Sequence, residues 1–435
     1  MSHYQIFDTD TAVVIEVTPP LFRPYYNHWG GNAYYTWDPF CQDPFTVNAS
    51  STSGSPVIIA CDKFIGFMNQ TGGTFSYDGA YRLTVTCPAG QGLWISENCN
   101  PYAAWREYNE AVLSFLTPTQ KPERFWSGLE YCSWVDQKNR AAALGYEDVS
   151  KPLTTAYIHE YMRRVNRMGL PKGKLTIDDG WDIRHGAPDG RPCYGNWTVN
   201  KEKFADMRQL VRDMKSEGFY PGLWFAPYTI TRSCELAQKH PELLGDYWPG
   251  ESDDKPGRVL RFLLPDESVL EDYYREIFGP YVEMGFMKFK MDMAYGNKRD
   301  MTELARIIHK VIKEMNPAIE IEGHIGDIFA SRYFDTVRIN DVHFTIPDWR
   351  AVTTEHYKVC RYSAHDKALN FDHIGTNTPC PAEADYLDHA KMLCRMEDGF
   401  PCVSLLPDVF GAHAIDTLSG LLREWEQERR IKLKD

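Results

Sequence analysis

The chain has 435 residues, of which 43% are hydrophobic and 25% are charged, an ordinary balance for a soluble globular protein with a large core. The net charge is −13 and no basic run occurs, which argues against nucleic acid and membranes as partners, because nucleic acid and anionic membranes both attract cationic surfaces. No apolar run approaches the about 20 residues of a membrane span. The N-terminus lacks the basic and apolar regions of a signal peptide, so we expect a cytoplasmic protein unless such a peptide has been trimmed.

The cysteines and aromatic residues narrow the class of protein further. The 11 cysteines are scattered and include no CxxC pair, whereas disulfide frameworks and zinc sites usually show regular spacing. We therefore expect reduced, mostly buried thiols. Aromatic residues make up 14% of the chain, which is compatible with sugar stacking, although composition alone favours an ordinary core.

Residues 1–118 are predicted to form an N-terminal β-rich domain with a connecting helix. Short β-branched segments lie between turn signals, a pattern typical of antiparallel strands. The helix is predicted over Tyr102–Phe115, and Thr117–Arg124, which has two prolines, is the best linker candidate. The predicted strands are AVVIEV, PVIIACD, FIGFMN, GTFSY and YRLTVTC.

Residues 119–435 are predicted to form a (β/α)8 catalytic barrel. Short apolar strands alternate there with amphipathic helices of roughly 12–20 residues, from Thr155–Met168 through Thr417–Arg430, which is typical of βα units. The fold class is thus α/β: a TIM barrel preceded by a small antiparallel β-domain. The eight predicted strands are Trp126–Trp134, Lys174–Asp179, Phe219–Pro227, Met287–Met293, Glu320–His324, Thr336–Asn340, Ala368–Asp372 and Pro401–Pro407.

The fourth predicted strand, within MKFKMDMAY, has two chemically different faces. Its methionines and Phe289 lie on one face, whereas Lys288, Lys290 and Asp292 lie on the other. Charges are costly to bury unless they are paired or used, so a core strand that ends in Asp292 indicates a site.

Several other predicted strands also end in carboxylates, cations or tryptophans. The C-terminal ends of barrel strands meet at one rim, where active-site residues lie in this fold. Two carboxylates, polar groups and flat rings are what glycoside chemistry requires. The residues expected at this rim are Trp134, Asp178, Asp179, Trp181, Trp224, Lys290, Asp292, His324, Arg338 and Asp341.

Five motifs in register on successive strands resemble the retaining α-glycosidase clan. This clan comprises α-galactosidases and raffinose-synthase-like proteins of glycoside hydrolase families 27 and 36, and the α-glucosidases and α-xylosidases of family 31. The resemblance covers about residues 119–430 and does not depend on any single motif. The motifs are WSGLEYCSWV, KLTIDDGWD, PGLWFAP, KFKMDM and VRIND.

The resemblance implies a role for each matching residue. Asp292 matches the nucleophile of the clan and Asp341 matches its acid/base. Asp178 and Asp179 match the acidic pair that binds sugar hydroxyls, and Lys290 matches a lysine that contacts the sugar. Arg338 matches the arginine of the acid/base motif.

These roles imply a double displacement at the anomeric carbon. Asp341 protonates the leaving oxygen while Asp292 attacks, and Asp341 then activates water, so that the α-configuration is retained. Lys290 is expected to keep Asp292 ionised. The charge of Asp292 is expected to keep Asp341 partly protonated.

Other interpretations of the same residues remain open. Asp292 could pair with Lys288 or Lys290 in the barrel interior. Asp341 could serve only as a turn or helix-capping residue, and it needs a bend after Asn340 to reach the face of Arg338. The competing acid is Asp327, whose simpler role is a helix cap.

The expected substrate-binding residues have structural alternatives too. Asp179 could form only a turn with the following glycine. Trp134, Trp181 and Trp224 could serve only in packing, and His324 could be a hydrogen-bonded structural histidine.

The sequence therefore predicts a retaining exo-acting α-glycoside hydrolase acting on terminal α-galactosides. The alternatives are an α-glucosidase, α-xylosidase or transglycosidase of the same clan, or a non-catalytic carbohydrate-binding barrel. No metal or other cofactor is expected, and the partner is an oligosaccharide or glycoside substrate. Whether the chain forms a homo-oligomer stays open.

Overall fold

The computed structural model describes most of the chain. The described ranges are 2–19, 21–26, 35–40, 45–48, 56–97, 100–115, 123–183, 194–248, 250–252, 259–294, 298–324, 328–339 and 341–432. Asp327 and most of the predicted linker at 117–124 lie outside the described residues. Within the described part, no helix is long and apolar enough to cross a membrane.

The N-terminal part contains two antiparallel sheets. The six-stranded sheet has the order β1-β10-β7-β6-β3-β4, and the four-stranded sheet has the order β2-β9-β8-β5. Buried side chains such as Ile65, Phe67, Phe75 and Leu83 form their core. The strands are β1 (Ser2–Ile6), β2 (Thr11–Glu16), β3 (Leu21–Tyr26), β4 (Tyr35–Phe40), β5 (Phe45–Asn48), β6 (Val57–Ile59), β7 (Phe64–Phe67), β8 (Thr74–Tyr77), β9 (Arg82–Cys87) and β10 (Gly92–Ser96).

The five predicted strands of this part correspond to β2, β6, β7, β8 and β9 and are confirmed. The other five strands carry too many polar or aromatic residues for a simple alternation to stand out. The helix predicted at Tyr102–Phe115 is confirmed as α1 (Pro101–Ser114). Trp105 and Tyr108 of α1 share a buried cluster with Ile328 and Phe329 of the barrel. The domain boundary after residue 118 stays a prediction.

Eight parallel strands close into the predicted barrel, in the order β11-β12-β13-β17-β18-β19-β20-β21. The strands of this part are β11 (Glu130–Cys132), β12 (Lys174–Ile177), β13 (Tyr220–Phe225), β14 (Thr229–Thr231), β15 (Leu244–Tyr247), β16 (Leu260–Leu263), β17 (Lys288–Met291), β18 (Glu320–Gly323), β19 (Thr336–Arg338), β20 (Ala368–Ile374) and β21 (Gly399–Val403). The helices are α2 (Trp134–Ala143), α3 (Thr155–Arg167), α4 (Met207–Ser216), α5 (Glu235–Lys239), α6 (Glu267–Met284), α7 (Lys298–Met315), α8 (Trp349–Ser363), α9 (Glu383–Cys394) and α10 (Ala412–Lys432).

Three details of the barrel differ from the prediction. The first strand is much shorter than Trp126–Trp134, because Trp126 lies in a 3-10 helix and Trp134 begins α2. The strands β14, β16 and β15 form a small extra sheet between β13 and β17. Among the described residues between β18 and β19, the only helix is the 3-10 turn Ser331–Tyr333, where an α-helix was expected.

The two faces of β17 lie as its alternation predicts. Phe289 packs outward against Phe225 and Phe278, the latter on α6. Lys288 and Lys290 are fully or almost fully buried and form ion pairs inside the barrel. Of the cysteines that the structure describes, all but Cys61 and Cys380 are buried, as expected.

The lower layer of the barrel interior is ionic. The ammonium of Lys288 donates to the carboxylates of Glu130 and Glu322, and that of Lys174 donates to Glu320 at 2.9 Å. Asn370 donates to Glu130 and Glu322 at 3.0 and 2.7 Å. TIM barrels usually fill this space with branched apolar side chains.

These buried charges are stable only as a set. Burial alone would lower the pKa of Lys288, but the surrounding glutamates hold it well above its usual value, so this lysine stays charged. Removing one member leaves an uncompensated charge in a site that water does not reach.

We expect Lys288→Met to lower the free energy of unfolding by about 3–5 kcal/mol, because Glu130 and Glu322 lose their shared cation. Urea unfolding at pH 7 measures the change. Lys239→Ala, which breaks the exposed pair with Glu235, is the control and should cost less than about 1 kcal/mol. Adding Glu322→Gln to the first variant should recover part of the loss. A change below 1 kcal/mol for Lys288→Met would contradict a structural role for this ion pair.

Candidate active site

Asp292 follows β17 directly and extends it, since its backbone N–H donates to the carbonyl of Phe225 on β13 at 2.8 Å. One carboxylate oxygen, Oδ1, accepts from Arg338 Nη2 at 3.0 Å and lies 3.1 Å from Nδ1 of His324. The other, Oδ2, accepts from the indole N–H of Trp224 at 3.0 Å. Three predicted site residues therefore converge on Asp292.

The environment of Asp292 favours its ionised form. Burial opposes ionisation, but Arg338, His324 and Lys290 together hold the pKa of Asp292 well below its usual range. The predicted effect of Lys290 is thus present, although Arg338 contributes more. Asp292 pairs with neither Lys288 nor Lys290 directly, so the simple ion pair of the alternative interpretation does not form.

The guanidinium of Arg338 holds three carboxylates. Its Nη2 donates to Asp292, whereas its Nη1 donates to Asp341 Oδ1 at 2.7 Å and to Asp372 Oδ1 at 3.2 Å. A planar guanidinium presents its donors in a fixed fork, so it orients the groups that it binds. Asp292 and Asp341 are consequently held at two ends of one rigid cation.

Asp341 reaches this cation because β19 ends at Arg338, and the chain has left the strand before Asp341. Its second oxygen, Oδ2, accepts from the side-chain amide of Asn377 at 2.9 Å. The amide oxygen of Asn377 is itself bound by Lys138 and by Trp134 Nε1, at 2.6 and 2.9 Å. This arrangement directs the NH₂ group of Asn377 towards Asp341.

The expectation that Asp341 is held partly protonated by the charge of Asp292 is wrong for the free site. Burial and Asp292 raise its pKa, but Arg338 and the hydrogen bond from Asp372 outweigh them and leave the pKa of Asp341 well below its usual range. The pKa of Asp372, in contrast, is raised well above its usual range by burial and by the charge of Asp341. The proton expected on Asp341 is thus favoured on its neighbour.

The floor of the site contains Lys290 and Asp178. Lys290 Nζ donates to Asp178 Oδ2 at 2.7 Å, and the thiol of Cys132 donates to the same oxygen at 3.1 Å. Asp178 is buried, and its backbone N–H donates to Ser133 Oγ at 2.9 Å. Asp179 is half-buried, and its N–H donates to Asp178 Oδ1 at 2.8 Å.

The three tryptophans have different environments. Trp224 donates to Asp292, and half-buried Trp134 donates to Asn377. Trp181 is completely buried and donates to the backbone carbonyl of Trp224 at 2.8 Å. It has no exposed surface with which to stack on a sugar, so the expected substrate contact of Trp181 is not supported, and the ring supports Trp224 instead.

Exposure separates the carboxylates that can meet a substrate from those that cannot. The side chains of Asp292 and Asp341 keep 19% and 17% of their surface exposed, whereas Asp372 keeps only 6%. An accessible, ionised carboxylate next to a second accessible carboxyl is the pair required for glycosyl transfer to an aspartate.

Four residues of the site were missed by the sequence analysis. Asp372 follows the same rule as Asp292, a carboxylate near the C-terminal end of a barrel strand, and could have been found that way. Asn377, Lys138 and Cys132 carried no comparable signal, because their partners come from other elements.

One cluster has the composition of a metal site. Ligand-type atoms of Asp341, Asp372 and His373 all lie within 4.8 Å of one another. Arg338 Nη1 already contacts both carboxylates, so a guanidinium supplies the positive charge there. The expectation that no cofactor is needed stays a prediction.

Comparisons with known proteins agree with the motifs. The family model Melibiase matches residues 153–266. α-Galactosidase 2 of Pediococcus pentosaceus is 25% identical over 141 residues, which are 32% of this chain and 19% of that protein. α-Galactosidase of Escherichia coli is 24% identical over 160 residues, 35% of this chain and 22% of that protein. These matches confirm the resemblance to the clan, and the aligned segment spans only about a fifth of each relative.

The solved structures show the fold. An α-galactosidase from Thermus thermophilus in complex with stachyose superposes with a TM-score of 0.68 at 15% identity, covering 97% of this chain and 93% of that one. A family 31 α-xylosidase from a soil metagenome gives a TM-score of 0.66 at 12% identity, covering 97% and 65%. The barrel and the preceding β-sheets of this chain therefore have the same fold as these two structures.

The low pKa of Asp292 predicts a pH-dependent contribution to stability. A carboxylate with a depressed pKa in the folded state stabilises that state fully above its unfolded pKa of about 3.9. The contribution is lost as the pH falls through the lower, folded-state pKa. We expect the difference in unfolding free energy between the wild type and Asp292→Asn to shrink between pH 6 and pH 3, as measured by urea unfolding.

The control is Glu160→Gln at the exposed pair with Arg163, which should alter stability by less than about 0.5 kcal/mol throughout. If the difference in unfolding free energy between the wild type and Asp292→Asn does not change with pH, the pKa of Asp292 is not depressed.

Proposed function

We propose that this chain is a retaining exo-acting α-glycoside hydrolase that acts on terminal α-galactosides through a glycosyl-aspartate. The observation that carries the proposal is the fork of Arg338, which holds Asp292 and Asp341 side by side at the C-terminal rim of the barrel. The sequence matches to α-galactosidases support galactose as the sugar.

Asp292 is proposed as the nucleophile. It is ionised and accessible, it accepts hydrogen bonds from Trp224 and Arg338, and its Oδ1 lies 3.1 Å from His324 Nδ1. In the first step its carboxylate attacks the anomeric carbon, and the bond from that carbon to the leaving oxygen breaks. When the glycosyl ester forms, Asp292 loses its negative charge and no longer neutralises Arg338. The carboxyl groups of Asp341 and Asp372 remain in contact with the guanidinium.

Asp341 is proposed as the acid/base. It lies across the guanidinium from Asp292 and must deliver a proton to the leaving oxygen in the first step. In the second step it accepts a proton from the attacking water, which restores Asp292 and the α-configuration. Two carboxyl groups about 5–5.5 Å apart perform this sequence with retention.

Lys290 and Asp178 are proposed to bind hydroxyls of the sugar from below. Their charges are buried and satisfied by each other, so they present fixed donors and acceptors. Asp179 and Trp134 are proposed to line the same subsite. A fixed polar floor of this kind discriminates between sugars through the orientation of their hydroxyls.

The first test is a set of p-nitrophenyl α-glycosides. We expect the highest kcat/KM for the α-galactoside, with the α-anomer of galactose released first, as followed by NMR. A higher kcat/KM for the α-glucoside or the α-xyloside would indicate an α-glucosidase or an α-xylosidase instead. Disaccharide products would indicate a transglycosidase. Saturable sugar binding without turnover of any member would support a carbohydrate-binding barrel.

The second test is Asp292→Asn, which removes the nucleophile while keeping its shape. We expect kcat to fall by at least about 10⁴-fold without unfolding the protein. The matched control is Asp408→Asn in the 3-10 turn Pro407–Val409 that follows β21, where Asp408 pairs with Arg164. This control should reduce stability but leave kcat within about threefold. Retention of activity in Asp292→Asn would overturn the assignment.

A further inference from the structure

The seventh barrel strand carries an irregularity at the site. The register between β20 and β21 shifts between Asn370 and His373, which marks a bulge. Asp372 lies in this bulge with a φ of 62°, a left-handed conformation that disfavours residues other than glycine. Bulges next to active sites commonly redirect a side chain, and here the redirected side chain is a third carboxyl.

Asp372 and Asp341 contact the same atom. Arg338 Nη1 donates to Oδ1 of both, at 3.2 and 2.7 Å. A carboxylate oxygen of each residue also lies within 4.8 Å of one of the other, and two negative charges this close in a buried site disfavour ionisation of both carboxyls at once. Two carboxyls in such contact titrate as a pair.

The surroundings favour a proton on Asp372 rather than on Asp341. Asp372 is the more buried of the two and has a raised pKa, because burial and the charge of Asp341 both disfavour its ionised form. Asp341 receives hydrogen bonds on both oxygens, from Arg338 and Asn377, which favour its ionised form.

We propose that Asp372 is a positioning residue that stores the proton which Asp341 delivers to the leaving oxygen. This inference rests on the proposed function and adds to it the source of the proton. The acid of the reaction is then a pair of carboxyls, of which only Asp341 touches the substrate.

The proton balance closes over the two steps. In the first step Asp341 gives a proton to the leaving oxygen and takes one from Asp372, while Asp292 forms a bond to the anomeric carbon. Both Asp341 and Asp372 are then ionised, and Arg338 loses the charge of Asp292. In the second step water attacks the anomeric carbon, the bond from that carbon to Asp292 breaks and restores the carboxylate, and the proton of the water passes through Asp341 to Asp372.

Charged and titratable groups face this pair from several elements. His373 is neutral, because burial and the nearby cations lower its pKa to about 3. None of the remaining groups supplies the proton, since burial lowers the pKa of His343 and the others are cations or carboxylates with roles of their own. The remaining groups are Lys138 on α2, Asp178 after β12, Lys290 and Asp292 on and after β17, Arg338 on β19, and His343 after Asp341.

The test is Asp372→Asn, measured with two α-galactosides that differ in the leaving group. The asparagine amide can still donate to Asp341 but has no proton to transfer. We expect kcat/KM for an unactivated galactosyl disaccharide to fall by about 100-fold, since proton transfer contributes about 10²–10⁴-fold. With a dinitrophenyl α-galactoside, whose leaving group needs no proton, the fall should stay below about threefold.

The pH profile is the second readout of the same variant. In the wild type, activity on the disaccharide should decline only above the ordinary aspartate range, because the pair keeps its proton there. In Asp372→Asn this basic limb should move to lower pH, since Asp341 alone loses its proton readily. Asp372→Glu, which restores a titratable carboxyl, should recover part of the disaccharide activity.

The matched control is Asp398→Asn, which makes the same change at another aspartate with positive φ, 61°, that pairs with Arg361 away from the site. Equal losses on both substrates for Asp372→Asn, or no loss on either, would overturn the inference. If that variant does not fold, the pH profile of the wild type decides. A wild-type activity on the disaccharide that declines with rising pH around the ordinary aspartate pKa of about 4 would also overturn the inference.

The proposed function and this inference fail in different ways. If the wild type hydrolyses neither α-galactoside, the proposed function is wrong. If the wild type hydrolyses both and Asp292→Asn hydrolyses neither, the function stands, and the behaviour of Asp372→Asn alone decides on the proton store.

Discussion

The buried guanidinium of Arg338 is the interaction on which the candidate site depends. It contacts Asp292, Asp341 and Asp372, and its pKa is held well above the usual value by those carboxylates even though burial opposes its charge. Three carboxyls this close would otherwise repel one another and take up protons. Arg338 favours the ionised forms of Asp292 and Asp341, with help from Lys290 at Asp292, whereas burial and the charge of Asp341 favour the protonated form of Asp372. In the proposed mechanism, this difference separates the nucleophile from the acid.

The barrel below the site supports Arg338 with charge as well as with packing. Glu322 lies 4.0 Å from Arg338 Nε and is itself bound by Lys288. Lys288, Glu130, Lys174 and Glu320 continue this network towards the bottom of the barrel. An ionic interior costs more desolvation than an apolar one, and it gives little stability unless every charge is paired. Its benefit is a set of fixed charges beneath a site that must hold several carboxylates in defined states.

Most of the fold and the position of Asp292 within the candidate site could be predicted from sequence. Period-two alternation around Lys288 and Asp292 indicated a strand with one apolar and one charged face, and that property is local. The eight strands with helices between them indicated the barrel for the same reason. The strand ends then pointed to Asp292 and Asp178, because the barrel brings all those ends to one rim.

The remaining features depend on contacts between distant elements. The protonation of Asp341 was predicted from Asp292 alone, whereas Arg338 and Asp372 lower its pKa. The bulge that turns Asp372 inward leaves no clear mark in the sequence. Trp181 looked like a rim residue because it follows Asp178 and Asp179, but its ring is covered by Tyr281 and other aromatic side chains. Burial of this kind is set by helices that pack on the barrel from elsewhere in the chain.

The most direct measurement of the central claim is covalent trapping. A 5-fluoro α-galactosyl fluoride forms the glycosyl-enzyme and slows its hydrolysis, so peptide mass spectrometry of the treated protein identifies the labelled residue. The proposed mechanism predicts a single adduct on Asp292, in the peptide that contains KFKMDM. An adduct on Asp341 or Asp372 would contradict the proposed mechanism. So would the absence of any labelling or inactivation of a protein that hydrolyses α-galactosides under the same conditions.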